Sequence, residues 1–290
     1  MPARTLMKFE IQPISEITSA EGFVSAVFRL RKSISNRKLW YRGHSECSYK
    51  LVPSVGRLQK SGGKEVMLNP KAETDLLHRF RRRAYPYVGR VMTAGEAIFL
   101  ARHRGLPTRL LDWTANALFS LYFACCEKNC KDGKVWALLY PSDRNYVDAL
   151  KIADRKDEKA LFTWPLIDGK SAKVTKHPSI KYALKLIHPF YNSPRLLAQD
   201  GAFTIHSDPW KPIEEYEGKE FTRETLDIER LYSWHIPAEK KERVRTPHRP
   251  RPALSFLEFI EKVMLVVIEI RRHVPRIVLL GRSLVGTEVP

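Results

Sequence analysis

The stretch RHRGLPTRLLDWTANALFSLYFA, residues 102–124, decides how the chain is read: it holds a helix stop, a charged connection and an unusually apolar helix in one short span. Just upstream, GEAIFLARHR places Ala97, Ile98 and Ala101 at helical spacing. Gly105 then stands where a helix needs a left-handed residue after its last turn, and Pro107 forbids resumption. The spacing predicts a helix ending near Arg104, with His103 and Arg104 in its last turn, where cations suit the negative end of the helix dipole. A second helix is predicted to begin near Asp112 or Thr114, both good N-caps. It carries Leu118, Leu121, Tyr122 and Cys125 on one face and Phe119, Phe123 and Cys126 on another, and such all-round apolarity belongs in a core. Arg109, Asp112 and Trp113 fall between the helices and must find partners, since breaking a buried ion pair costs roughly 3–5 kcal/mol. An Arg109–Asp112 pair within the turn is the expected solution.

Outward from this stretch the elements alternate. Thr18 and Glu21 have capping-box spacing, and Val24, Val27, Phe28 and Arg31 recur at helical period, which predicts a helix over 19–34. KLWYRG reads as a strand ending at Gly43, with Trp40 and Arg42 on one face and Leu39 and Tyr41 on the other. AETDLLHRFRRRAYP reads as a helix with Leu76, Leu77, Phe80 and Ala84 inward, Pro86 as its stop, and Arg79, Arg82 and Arg83 outward. KVWALLYP, 134–141, has the length and apolarity of a buried strand, and a helix is expected near SIKYALKLI. Asp200 and Gly201 make a turn before an alternating strand, Ala202 to His206. The chain is therefore expected to be α+β, one domain with a small mixed sheet of KLWYRG, KVWALLY and GAFTIH surrounded by helices. Residues 1–35 form a helical lead-in, 36–206 the main domain with its signature at 40–124, and 207–238 an extension. Residues 239–252 read as a basic, proline-broken linker. The apolar tail, 253–290, is interrupted by Glu258, Glu261 and Lys262, and so reads as a packed helix and strand rather than a membrane anchor.

Composition narrows the partners. Fifty Lys and Arg against 32 Asp and Glu leave a formal charge of +18, which favours polyanions: nucleic acid, nucleotides or an anionic membrane. No run reaches the eighteen or so apolar residues of a membrane span, and MPARTLMKFEIQP lacks the apolar centre of a signal peptide, so no membrane partner and a cytoplasmic location are expected. Cys47, Cys125, Cys126 and Cys130 have no standard zinc spacing and read as inert thiols. Phosphate loop, dinucleotide glycine fingerprint and Gly-x-Ser-x-Gly elbow are all missing, which disfavours the common nucleotide-binding and hydrolase classes.

Four segments together, WYRGHSECSYKLVPSVGR (40–57), LLHRFRRRAYP (76–86), ARHRGLPTRLLDWTANALFSLYFA (101–124) and SPRLLAQDGAFTIH (193–206), resemble the FRG-domain family in order and spacing. The family is named for a Phe- or Tyr-Arg-Gly tripeptide, here Tyr41, Arg42 and Gly43. Its longer signature corresponds to His103–Thr114. The resemblance covers about residues 36–206 and implies a largely uncharacterised bacterial or phage protein without naming a reaction. Relatives tend to end in a polar segment with a Phe-Pro-Asp-Leu-like stretch, which is missing after Trp234; a frameshift between 242 and 255 would account for that, and translation in the other two frames checks it.

Arg42 leads the candidate residues. An arginine at a strand end can fork onto a phosphate or carboxylate, with Gly43 letting a ligand approach the backbone. The arrangement is similar to the strand-borne arginine of mono-ADP-ribosyltransferases, which grips the diphosphate of NAD, although no convincing Glu-x-Glu or Gln-x-Glu accompanies it. The structural alternative for Arg42 is an ion pair with Asp112 or Glu73. Arg109 and Asp112 either bind ligand or hold their turn; Trp113 either packs or stacks a base. His103 and Asp112 are the candidate acid–base groups, although a histidine at a helix end is commonly a dipole partner. No second histidine stands at metal-ligand spacing near His103, so no metal is expected. Gln199 is expected to join Arg42, Arg109 and Asp112 in one cleft, and Arg79, Arg82 and Arg83 are candidates for phosphate contact. Three functions stay open: a nucleotide-binding protein, one version of which is ADP-ribosyltransferase-like with NAD as cofactor; a nucleic-acid-binding module of a phage-related or defence system; and a non-enzymatic protein-interaction domain.

Overall fold

Apolar runs long enough to be buried on both faces build the centre of a sheet, and alternation within them decides which layer each side chain joins. The computed structural model describes residues 6–34, 37–61, 64–68, 70–140, 147–148, 184–189, 200–222, 226 and 228–245. In chain order they form β1 (Leu6–Lys8), β2 (Glu10–Glu16), α1 (Ala20–Ser33) and β3 (Lys38–His44). A hairpin follows, β4 (Leu58–Ser61) and β5 (Lys64–Met67), then α2 (Pro70–Val88) and α3 (Ala94–His103). Next come β6 (Leu110–Thr114), α4 (Ala117–Cys125), β7 (Gly133–Tyr140) and β8 (Val147–Asp148). The described chain closes with β9 (Leu184–His188), β10 (Gly201–His206), β11 (Glu220–Thr222), β12 (Arg230–Ile236) and a helix α5 (Lys241–Arg245).

The chain is α+β, and its mixed sheet has eight strands in the order β2-β12-β7-β3-β6-β10-β9-β8. The three expected strands are β3, β7 and β10. β2 and β12, from outside 36–206, lie at one end of the sheet and pair in parallel, as β8 and β9 do at the other; the pairs between are antiparallel. Period-two alternation sorts β7 between two cores. Val135, Ala137 and Leu139 join Phe23, Val27 and Leu30 of α1 and Leu121 and Ala124 of α4. Trp136, Leu138 and Tyr140 face the other way, with Trp40, Leu111 and Trp113. Tyr41 belongs to the first core and Trp40 to the second, as the alternation of KLWYRG requires.

Helix ends follow side-chain chemistry. The Ser19 side chain caps α1 by accepting from the Gly22 amide at 3.1 Å, and Thr93 with Glu96 forms a capping box at the start of α3. α3 stops where expected: Gly105 has φ +82°, and the Leu106 amide reaches back to the Ala101 carbonyl at 3.0 Å.

Several expectations are corrected. LLDWT is not a turn capping the next helix but the strand β6, held by five register pairs to β10. Asn116 caps α4 instead, its Oδ1 accepting from the Leu118 amide at 2.9 Å. Ladder bonds to a neighbouring strand outweigh the capping preference of Asp112 and Thr114. Pro86 does not stop α2, which continues to Val88; so near the helix end the missing N–H costs one bond. Within SIKYALKLI, Leu184–His188 form β9 rather than helix, because that stretch pairs with β10; residues 179–183 lie outside the described residues. The expected linker at 239–252 begins as packed structure: Lys241 is fully buried, its Nζ donating to the carbonyls of Ser45, Glu127 and Lys128 at 2.6, 3.2 and 3.1 Å. Residues 246–252 and the tail at 253–290 lie outside the described residues. No helix of the described residues is long and apolar enough to cross a membrane.

Candidate functional site

The site begins where two adjacent strands stop pairing. β3 and β6 share a single register pair, Tyr41 opposite Thr114. The backbone groups beyond it need other partners, and Arg42 supplies one: its Nη1 donates to the Asp112 carbonyl at 2.6 Å while its Nε donates to His44 Nε2 at 3.0 Å. The Asp112 carboxylate lies 3.8 Å from Arg42 Nη1. Arg102, in the last turn of α3, clamps that carboxylate through Nε at 3.0 and 3.1 Å and through Nη2, and its Nη1 donates to Ser54 Oγ at 3.0 Å. Arg57 is fixed by an Nε bond to the Val52 carbonyl at 2.8 Å.

These groups border a cleft of about 980 Å³. Among the described lining residues Arg42, Arg57, Arg102 and Lys50 carry positive charge, against the carboxylates Asp112 and Glu127. Burial, reinforced by Arg57 and Arg102 and opposed by Asp112, pulls the Arg42 pKa down to about 9, so it remains a cation at neutral pH. Arg57 is lowered by burial and then by Arg102. Burial pushes Asp112 up, but the charge and hydrogen bonds of Arg102, with the charge of Arg42, outweigh it and keep the carboxylate ionised. Burial together with Arg42 and Arg57 holds His44 well below the usual histidine range. Its Nε2 accepts from Arg42, so the neutral ring carries its proton on Nδ1. Mutually repelling guanidinium groups in one half-buried place are what an entering anion would stabilise.

The expected site residues divide. Arg42, Gly43, His103, Asp112 and Trp113 all line the cleft. Arg109 is not among the lining residues. It is 1% exposed and pairs with Glu73, not Asp112: its Nη2 and Nε reach Glu73 Oε2 at 2.7 and 2.9 Å. The intraturn pair fails because β6 is extended, whereas Glu73 on α2 also accepts the Arg109 amide at 2.7 Å. Trp113 is 3% exposed and donates its Nε1 to Thr204 Oγ1 at 3.0 Å, so it is a wall rather than a stacking surface. Arg79, Arg82 and Arg83 are exposed on α2 and do not line the cleft. Gln199 lies outside the described residues. Cys126 lines the cleft, but burial raises its pKa and keeps it a thiol. No three His, Cys, Asp or Glu of the described residues group to hold a metal ion.

Gly43 has a different task from the expected one. A Cβ there would lie 1.9 Å from the Ser120 carbonyl oxygen and 2.7 Å from the Ala124 amide. The glycine therefore lets α4 pack directly on β3. Gly43→Ala is expected to cost at least 1–3 kcal/mol by overpacking, read as a lowered urea midpoint; an unchanged midpoint would show that α4 does not press on β3.

The FRG-domain family model matches residues 37–133. The chain carries an FRG domain. The matched FRG segment runs from β3 to the first residue of β7 and contains Arg42, Arg57, Arg102 and Asp112, hence the whole cationic cluster. The wall residue Phe203 lies on β10, outside the match. Neither the curated proteins nor the solved structures yield a match to this chain. Sequence reasoning does not single out Arg57 and Arg102, although both fall in segments that carry the FRG resemblance; only the fold shows that Arg102 pairs with Asp112 and that Arg57 lines the same cleft.

Proposed function

We propose that the FRG domain binds a nucleotide-type ligand whose phosphates lie against Arg42, Arg57 and Arg102. The observation that carries this reading is the gathering of three guanidinium groups, two of them on one clamped carboxylate, in a cleft of about 980 Å³, a size suited to a nucleotide. Guanidinium forks match phosphate geometry. Arg42 commits Nε and Nη1 within the protein, and its Nη2 has no hydrogen bond among the described residues.

Transfer of ADP-ribose from NAD is the finer version of this reading. Asp112 is held by Arg102, which leaves Glu127, on the same cleft, as the carboxylate to stabilise the ribosyl cation. The test is calorimetric titration with inorganic pyrophosphate, ADP and NAD. Arg42→Gln and Arg57→Gln are each expected to weaken binding at least tenfold, as loss of one charge-assisted bond implies. Unchanged affinity in both variants would overturn the reading. A nucleic-acid module is the second reading, favoured by the exposed Arg79, Arg82 and Arg83 on α2; oligonucleotide binding that falls steeply with salt and survives both cleft substitutions would favour it instead.

A further inference from the structure

Three of the large apolar side chains left exposed in the described structure line this one cleft. Tyr49 is 40% exposed, Leu58 55% and Met67 52%. Leu58 and Met67 are direct cross-strand partners at the base of the β4–β5 hairpin, so they present two adjacent apolar groups to the cleft. Leu58 directly follows Arg57, which ties this apolar pair to the cationic cluster through one peptide bond. Tyr49 stands next to the same cluster: its ring centroid is 6.1 Å from that of His44 in an edge-on arrangement, and both residues line the cleft with Arg57. Lys128 Nζ lies 5.0 Å from the centroid of the Tyr49 ring and pairs with Glu46 at 2.9 Å, so the ring is held in place. Exposed apolar side chains gathered at a cleft mark a surface that a ligand covers. Trp113 and the buried Phe99 and Phe203 are already enclosed. Phe123 on the same cleft is half-buried, and the most exposed apolar groups are Tyr49, Leu58 and Met67.

We infer that Tyr49, Leu58 and Met67 form a base-binding subsite beside the arginine cluster, so that the cleft selects phosphates carrying an aromatic base over base-free phosphates. This rests on the phosphate reading above and specifies the rest of the ligand. The base lies on Tyr49 and against the Leu58–Met67 pair while its phosphates reach Arg57 and Arg42.

Paired titrations of ADP and inorganic pyrophosphate test it. The wild type is expected to bind ADP more tightly, by roughly 5- to 100-fold, the range for stacking one base on an aromatic side chain. Tyr49→Ala and the double substitution L58S/M67S are each expected to remove most of that preference while leaving pyrophosphate affinity within about twofold; both alter exposed positions, and Tyr49→Phe should retain the preference. Equal affinity of the wild type for the two ligands, or an ADP preference that survives both variants, overturns the subsite and leaves the phosphate reading standing. Failure of the wild type to bind either ligand overturns both.

Discussion

Glu73→Ala is expected to lower the stability of the folded protein by about 3–5 kcal/mol. Glu73 and Arg109 are each 1% exposed and meet through three contacts, two to the guanidinium and one to the Arg109 amide. Removing the carboxylate leaves a guanidinium and a backbone amide to be desolvated without it. A loss of that size is roughly a fifth or more of the usual total for a domain, and urea unfolding should show it as a large drop in midpoint. The double variant E73L/R109M should recover much of the loss, because neither charge is then buried alone. A loss under about 1 kcal/mol in the single variant would show that this pair does not hold α2 to the start of β6. Arg109 directly precedes Leu110, and Asp112 follows two residues later, so the pair also fixes the strand that delivers Asp112 to the cleft.

Stability should fall as pH is lowered from 7 to 5, and His206 should account for a large part of the fall. His206 is 1% exposed, its Nε2 lies 3.0 Å from Thr204 Oγ1, and burial, aided by the charge of Arg42, brings its pKa to about 3. The unfolded chain binds this proton below about pH 6.5 and the folded chain does not, so the stabilisation is complete above 6.5 and is lost as pH falls toward 3. One such group makes the protein about 2 kcal/mol less stable at pH 5 than at pH 7, at 1.36 kcal/mol per unit. His44, also held neutral, steepens the loss in the same direction. Urea titrations at half-unit pH steps should show the slope, and His206→Gln should reduce it by about one proton's worth. A variant with the wild-type slope between pH 5 and 7 would refute the assignment to His206.

The helix stop at Gly105, the alternation of KLWYRG and the apolar run of β7 were all legible, because each rests on a local rule: a left-handed residue, a period of two, a strand-length apolar block. LLDWT was not. A strand between two others shows no alternation, and its Asp and Thr look like helix caps until β10 is known to pair with it. SIKYALKLI misled for the same reason, since Leu184–His188 becomes a strand through its neighbours. In EKKERVR the composition concealed one lysine that three distant carbonyls bury.

The candidate site divides along the same line. Sequence alone determined that this is an α+β chain carrying the FRG signature, that Arg42 stands on a strand facing the same way as Trp40, and that Arg109 and Asp112 need partners. Tertiary structure decided who those partners are: Glu73 for Arg109, Arg102 and Arg42 for Asp112. It also turned Gly43 toward α4 and brought Arg57 and Tyr49 to the cleft. The physical reason is that the need of a charge for compensation is a property of the residue, whereas the identity of the compensating group depends on which strands pair and where their ladder ends.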